Sequence, residues 1–288
     1  NILYISMKPN PFLQKLKCLA ITKTDYKTIS QSKLLEYDYL WKILLYGSYL
    51  DFNFIKRLNN NYQKIQNLIN EKRLLKYQGF KRNDKNVKER TDTKILKEFD
   101  FIDTKKKDLK PFYIANDLKK FDYDDVAYIY KEDGKIYDKL YKAPTLLFTG
   151  GLNNQLKQTS AIAYKDTIFT SSVVALKASN DYDQNTLKII NGLFFSKYFA
   201  YFLMQTASSP GVEREECDDY EKLSLPYIED KKIIPIVEKI EKLQKEHYEN
   251  ENILQSNTYK VDLQKLINTL DAQILEALNL NQEEYSLI

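Results

Sequence analysis

The chain has 288 residues, 43% hydrophobic content and a formal net charge of +4, enough apolar matter for a packed core and too little net charge to demand a polyanionic partner. Two lone cysteines, Cys18 and Cys217, exclude a disulfide framework and a thiolate zinc site and suit a reducing, cytoplasmic setting. No apolar run is long enough to cross a bilayer, so no membrane partner is expected.

Residues 2 to 6 alternate toward a buried strand. They lack a basic leader and a cleavage pattern, so no signal peptide is expected. The chain also lacks an initiating Met, and we expect it to be a fragment of something longer. Leu16 to Thr22 reads as a second short strand. Tyr37 to Arg57 carries a helical pattern, with Leu40, Trp41, Leu44 and Leu45 before Gly47 and Leu50, Phe54, Ile55 and Leu58 after it. Gly47-Ser48 should break this helix and Asp51 should cap its second part. Tyr62, Ile65, Leu68 and Ile69 continue the spacing.

Between Glu71 and Lys110 stand 14 Lys or Arg against 8 Asp or Glu, a local +6, so the rest of the chain sums to −2. Aromatics interleave with the cations at Lys76-Tyr77-Gln78-Gly79-Phe80-Lys81-Arg82. Residues 126 to 130 and 145 to 149 read as strands, and Gly150-Gly151 as a turn. Ser160 to Tyr164 and Thr167 to Leu176 read as two further strands. Asn185 should cap one helix running to about Gln205, with Leu187, Ile190, Phe194, Tyr198 and Phe202 on its apolar face. Ser208 to Gly211 reads as a loop. Two near-heptad stripes follow: Ile233, Val237, Ile240, Leu243, then Leu263, Leu266, Leu270, Ile274, Leu278, the pattern of two long packed helices.

The familiar catalytic constellations are missing from the sequence. The single histidine, His247, lies on the charged helical stretch, where a solvated or stripe-filling role outweighs a catalytic one. One His and two scattered Cys do not make a zinc site. None of the 7 glycines forms a dinucleotide or phosphate-binding pattern. Asn10-Pro11-Phe12 lacks the second proline of an adenine methyltransferase motif. Glu238, Glu241 and Lys242 read as a solvated helix face rather than a nuclease site. No catalytic residue is therefore assigned.

DNA reading needs cations for phosphates and planar polar groups for base edges. Lys76, Lys81, Arg82 and Lys85 supply the first. Asn153, Asn154 and Gln155, with Lys157, supply amides and a cation beside the glycine pair, and Ser208, Ser209 and Arg214 supply hydroxyls and a guanidinium. Each has a plain alternative: solvated lysines, a surface turn, and an Arg214 paired with the adjacent Glu215 and Glu216.

The order of elements is more specific than any one of them. Ala143-Pro144-Thr145-Leu146-Leu147 before glycines resembles the entry strand of restriction-modification specificity domains. Leu187-Lys188-Ile189-Ile190-Asn191-Gly192-Leu193-Phe194-Phe195-Ser196 resembles their leucine-asparagine helix, and Ser208-Ser209 with Arg214 the loop after it. Leu223-Ser224-Leu225-Pro226 and Ile236-Val237-Glu238-Lys239-Ile240 resemble the exit into a long helix. Leu270-Asp271-Ala272-Gln273-Ile274 with Leu278, Leu280 and Glu283-Glu284 looks like the tail of type IIG enzymes, which fuse nuclease, adenine-N6 methyltransferase and recognition domain. Tyr39-Leu40-Trp41-Lys42-Ile43-Leu44-Leu45-Tyr46-Gly47 with Asp51-Phe52 looks like the connector after their methyltransferase core.

The resemblance implies an α+β fold: a mixed-sheet target-recognition domain, a C-terminal antiparallel long-helix pair and a short N-terminal α/β connector. Residues 1–70 would be the connector, 71–229 the recognition domain and 230–288 a helical spacer or docking region. It implies sequence-specific recognition of double-stranded DNA, with S-adenosylmethionine, and Mg for cleavage, belonging to upstream domains of the same chain or to a partner subunit. A separate type I-like specificity subunit and a scaffold without nucleic acid stay open; a stand-alone enzyme is the weakest reading.

Overall fold

The computed structural model describes residues 2–5, 26–79, 100–102, 108–115, 118, 141–153, 155–180, 183–208, 217–249 and 256–288. Strand β1 (Ile2–Ile5) pairs antiparallel with β2 (Tyr26–Ile29). Four helices follow: α1 (Gln31–Glu36), α2 (Leu40–Tyr46), α3 (Tyr49–Asn61) and α4 (Ile65–Asn70). The break at Gly47-Ser48 falls where the sequence places it. Ser48, not Asp51, is the cap: its Oγ accepts from Leu50 N at 3.2 Å, while Asp51 Oδ2 in the first turn accepts from Ser48 N at 2.7 Å. This reciprocal pair satisfies amides that a helix start leaves without partners.

The remaining strands are β3 (Leu74–Gln78), β4 (Asp100–Ile102), β5 (Leu109–Lys110), β6 (Tyr113–Ile114), β7 (Thr145–Leu152), β8 (Gln158–Ala163), β9 (Thr167–Phe169) and β10 (Val173–Ala178). Four of them form an antiparallel sheet in the order β3-β10-β7-β8. β4 pairs parallel with β9, and β5 with β6 antiparallel. Two sequence expectations change here. Thr167 to Leu176 is not one strand, because a turn at Thr170–Ser172 with Val173 N donating to Thr170 O at 2.9 Å separates β9 from β10. Gly150-Gly151 is not the turn either. β7 runs through both with a register shift between Phe148 and Leu152, and the reversal comes at Asn153–Leu156, where Leu156 takes a φ of 57°. The expected strands at 16–22 and 126–130 lie outside the described residues.

Alternation along the sheet sorts its side chains into two cores. Leu146, Phe148, Ile162, Val174 and Leu176 face the helices, whereas Leu147, Ala161, Ala163, Val173 and Ala175 join Ile102, Leu109, Tyr141, Ile168 and Phe169 on the opposite face. The helical face is covered by α5 (Gln184–Phe194), and α6 (Lys197–Thr206) packs beside it against α2 and α3. These replace the single helix expected from Asn185 to Gln205. Ser196 divides them, accepting from Phe199 N at 3.2 Å and donating to Leu193 O at 2.6 Å. Asp183, not Asn185, precedes α5, and its Oδ1 accepts from Arg73 Nη2 at 2.9 Å.

After the short α7 (Asp219–Leu223) come α8 (Ile233–Glu249), α9 (Ser256–Ala277) and α10 (Gln282–Tyr285). α8 and α9 are antiparallel: Tyr259 Oη donates to Gln244 Oε1 at 2.7 Å near one end, and Gln273 Nε2 to Asp230 Oδ2 at 2.8 Å near the other. Gly192 marks where α5 meets this pair. A Cβ there would lie 2.9 Å from Val237 Cγ2, 3.0 Å from Ile233 Cγ2 and 3.3 Å from Leu270 Cδ1. Arg57 holds the tail, its Nε and Nη2 each 2.8 Å from the Glu284 carboxylate. One apolar cluster runs from Ile43 through the sheet and α5 to Leu278, drawing on all three expected segments. The fold is α+β.

Candidate nucleic-acid interface

At one end of the sheet the chain departs or reverses three times. β3 ends at Gln78-Gly79, where Gly79 N donates to Val173 O at 3.1 Å and Gln78 Nε2 to Ser171 O at 3.1 Å. A Cβ on Gly79 would come within 2.2 Å of Thr170 O, so backbone passes backbone too closely for any side chain. Beside it, Gly150 N donates to Ser172 O at 3.3 Å, and the β7–β8 turn lies just beyond. Lys222 Nζ donates to Gly150 O at 2.6 Å and Thr149 O at 3.1 Å. Its neighbour Glu221 accepts from Ser208 N at 2.7 Å. Gly79, the Asn153–Lys157 turn and Ser208 are thus linked around one edge.

The side chains proposed to contact DNA have different fates. Lys76, on edge strand β3, pairs with Asp219 at 3.0 Å. Asn153 Oδ1 accepts from Gln155 N and Lys157 N, both at 2.9 Å, so its amide builds the turn. Gln155 is exposed. Lys157 is buried, with Nζ 4.7 Å above the Phe195 ring; burial lowers its pKa against the attraction of Asp271. It faces into the protein rather than toward a phosphate. Ser208 O accepts from Lys42 Nζ at 3.3 Å. Lys81, Arg82, Lys85, Asn154, Ser209 and Arg214 lie outside the described residues.

The charge on α7 is tied up locally. Burial would raise the Glu221 carboxyl, but hydrogen bonds from Ser208, Cys217 and Asp218 outweigh it and hold the group below its ordinary value. Burial and Glu221 together push the Cys217 thiol up, which disfavours its thiolate. Asp219 serves Lys76 and stands 4.0 Å from Lys222. In sequence, residues 80–99 carry seven Lys or Arg against four acids, whereas 209–216 carry three Glu and one Arg.

Sequence reasoning missed Lys222, Glu221 and Lys42. In Asp218-Asp219-Tyr220-Glu221-Lys222 nothing distinguishes a buried lysine from a solvated one, and only the kinked β7 backbone reveals its acceptors. Of the expected solvated face, Glu238 and Lys242 are exposed, and Glu241 alone needs correction. Glu241 Oε2 accepts from Tyr164 Oη at 2.8 Å, and burial raises its carboxyl. It lines a cleft of about 410 Å³ with Glu238, Lys242, Lys245, Phe112 and Ile162. This cleft borders Ala163 and Thr167, the sheet end away from the three departures. His247 stacks on Tyr259 at 3.6 Å and 7°.

Among the described residues, no group of three or more His, Cys, Asp or Glu is placed to hold a metal, and no helix is long and apolar enough to cross a membrane. Compared with known proteins, the chain matches no family model and no curated protein.

Proposed function

We propose that this chain reads double-stranded DNA by sequence, as the recognition part of a restriction-modification enzyme. Methyl transfer and cleavage would belong to upstream domains of the same chain or to a partner subunit. The observation that supports this most is the link among three points on the polypeptide. Gly79 and the Asn153–Lys157 turn sit at one end of a sheet packed on both faces, and Ser208 is joined to that end through Glu221 and Lys222 of α7. A rigid scaffold that presents several polar loops on one side suits a base-reading surface. The cations would come from the 80–99 segment and the amide or guanidinium contacts from Gln155, Asn154 and Arg214.

The test is binding to a labelled duplex pool across a salt series. Phosphate contacts release counterions, so affinity should fall steeply with salt. Lys81→Ala with Arg82→Ala should weaken all sequences alike and reduce the log–log slope by about 1–2. Absent duplex binding, or binding indifferent to salt, would overturn the reading. A protein-docking module without nucleic acid is the second reading. It draws on exposed Leu35, Trp41, Tyr49 and Leu50 between α1 and the start of α3, and it predicts no duplex binding.

A further inference from the structure

Lys222 has no accessible surface, yet its ammonium lies against the end of β7 that precedes the Asn153–Lys157 turn. A buried cation is tolerated only where acceptors surround it. Here those acceptors are the carbonyls of Thr149 and Gly150, at 3.1 and 2.6 Å. They belong to the irregular stretch of β7 between Phe148 and Leu152, where the β7–β8 ladder loses register. A bulge leaves backbone groups without ladder partners, and a side-chain donor fixes its geometry. Gln158 Nε2 works from the other side, donating to Thr149 O at 2.8 Å and Thr149 Oγ1 at 3.0 Å. The turn at Asn153–Leu156 follows directly, so the bulge sets its direction.

The residue before Lys222 holds the other arm. Glu221 accepts from Ser208 N at 2.7 Å and Asp218 N at 3.1 Å, and Cys217 Sγ donates to it at 3.3 Å. α7 therefore grips two polar arms with adjacent side chains of opposite charge.

We propose that α7 is a bracket fixing the Asn153–Lys157 turn relative to the Ser208 arm, with Lys222 the positioning residue that sets sequence preference. The second clause rests on the DNA-reading function above. Lys222 touches no base; it acts through the backbone of β7.

Two measurements test it. Lys222→Met keeps the length and removes the ammonium. Amide hydrogen exchange at Gly150, Asn153 and Leu156 should quicken by about tenfold or more, while β3 and β10 amides keep their rates. Glu221→Ala, a milder change at the other grip, should quicken Ser208 and the Asn153–Lys157 turn together. It decides the matter if the Met variant does not fold. Unchanged exchange in the turn, in whichever variant folds, overturns the bracket. The second measurement is selection from a pool of duplexes with a randomised core. The Met variant should keep the wild-type salt slope and lose about tenfold or more of its discrimination among sequences. The same enriched sequences with the same discrimination would overturn the positioning role. If the wild type itself enriches nothing, the DNA reading and its sequence preference fall, while exchange still decides the bracket.

Discussion

Replacing Gly192 by alanine tests how closely the C-terminal helix pair is married to the sheet domain. In an exposed helix the change should stabilise, since alanine is better than glycine by about 1 kcal/mol. Here the new methyl meets Val237 Cγ2 at 2.9 Å, Ile233 Cγ2 at 3.0 Å and Leu270 Cδ1 at 3.3 Å. The two nearest atoms belong to β-branched side chains with one strongly preferred rotamer in a helix, so they cannot swing aside. Overpacking a tight core costs about 1–3 kcal/mol, and stiff neighbours place this substitution in the upper half. The net expectation is a loss of about 1–2 kcal/mol, a fall of several degrees in Tm for a chain of this size. Gly151→Ala is the matched control, because nothing lies within 4 Å of its Cβ position. It should stay within about 0.5 kcal/mol of wild type. Thermal and urea unfolding of the three proteins decide it. If Gly192→Ala melts at or above wild type, α8 and α9 are not seated tightly on α5.

Arg57→Ala should detach the tail: loss of the forked contact to Glu284, whose partners are only partly exposed, costs about 1 kcal/mol and should speed limited proteolysis after Asn279. Glu284→Gln should do the same more weakly, and unaltered cleavage in both would mean that the contact does not hold the tail. Glu241 gives a pH test. Burial raises its carboxyl, so its contribution to stability is complete below the unfolded carboxylate range and is lost as pH rises through the folded value. Glu241→Gln stays neutral and can still accept from Tyr164 Oη. It should therefore unfold at higher urea than wild type at about pH 7, the gap closing toward about pH 4. An equal gap at both values argues against a buried acid there.

Much of the scaffold was legible because alternation and helical spacing are local signals. Leu146 to Phe148, Ile162 and Val174 to Leu176 divide between two cores as period-two strands must. The elements misjudged share a cause: one or a few residues override the apolar pattern around them. Ser196 interrupts an unbroken aromatic pattern by capping the next helix, and Thr170–Ser172 turns a β-branched run without glycine or proline. Gly150-Gly151 looks like a reversal and is a kink in a strand, because Lys222 and Gln158 supply the donors that hold it there. The least legible part of the candidate site was the direction of its side chains. Asn153 and Lys157 carry the right chemistry for a ligand, yet the turn uses one amide and Phe195 covers the other's ammonium. Sequence spacing reports which residues are near, not which way they point.

β3 does not pair with the strand that follows it. Its neighbour is β10, nearly a hundred residues later, and every strand from β4 to β9 is threaded between the two. Between Gln78 and Thr145 the described residues add Ile102, Leu109, Phe112 and Tyr141 to the two cores that flank the sheet, and no strand to the sheet itself. Pairing β3 with β10 joins residues about a hundred positions apart, a non-local contact of the kind that slows folding.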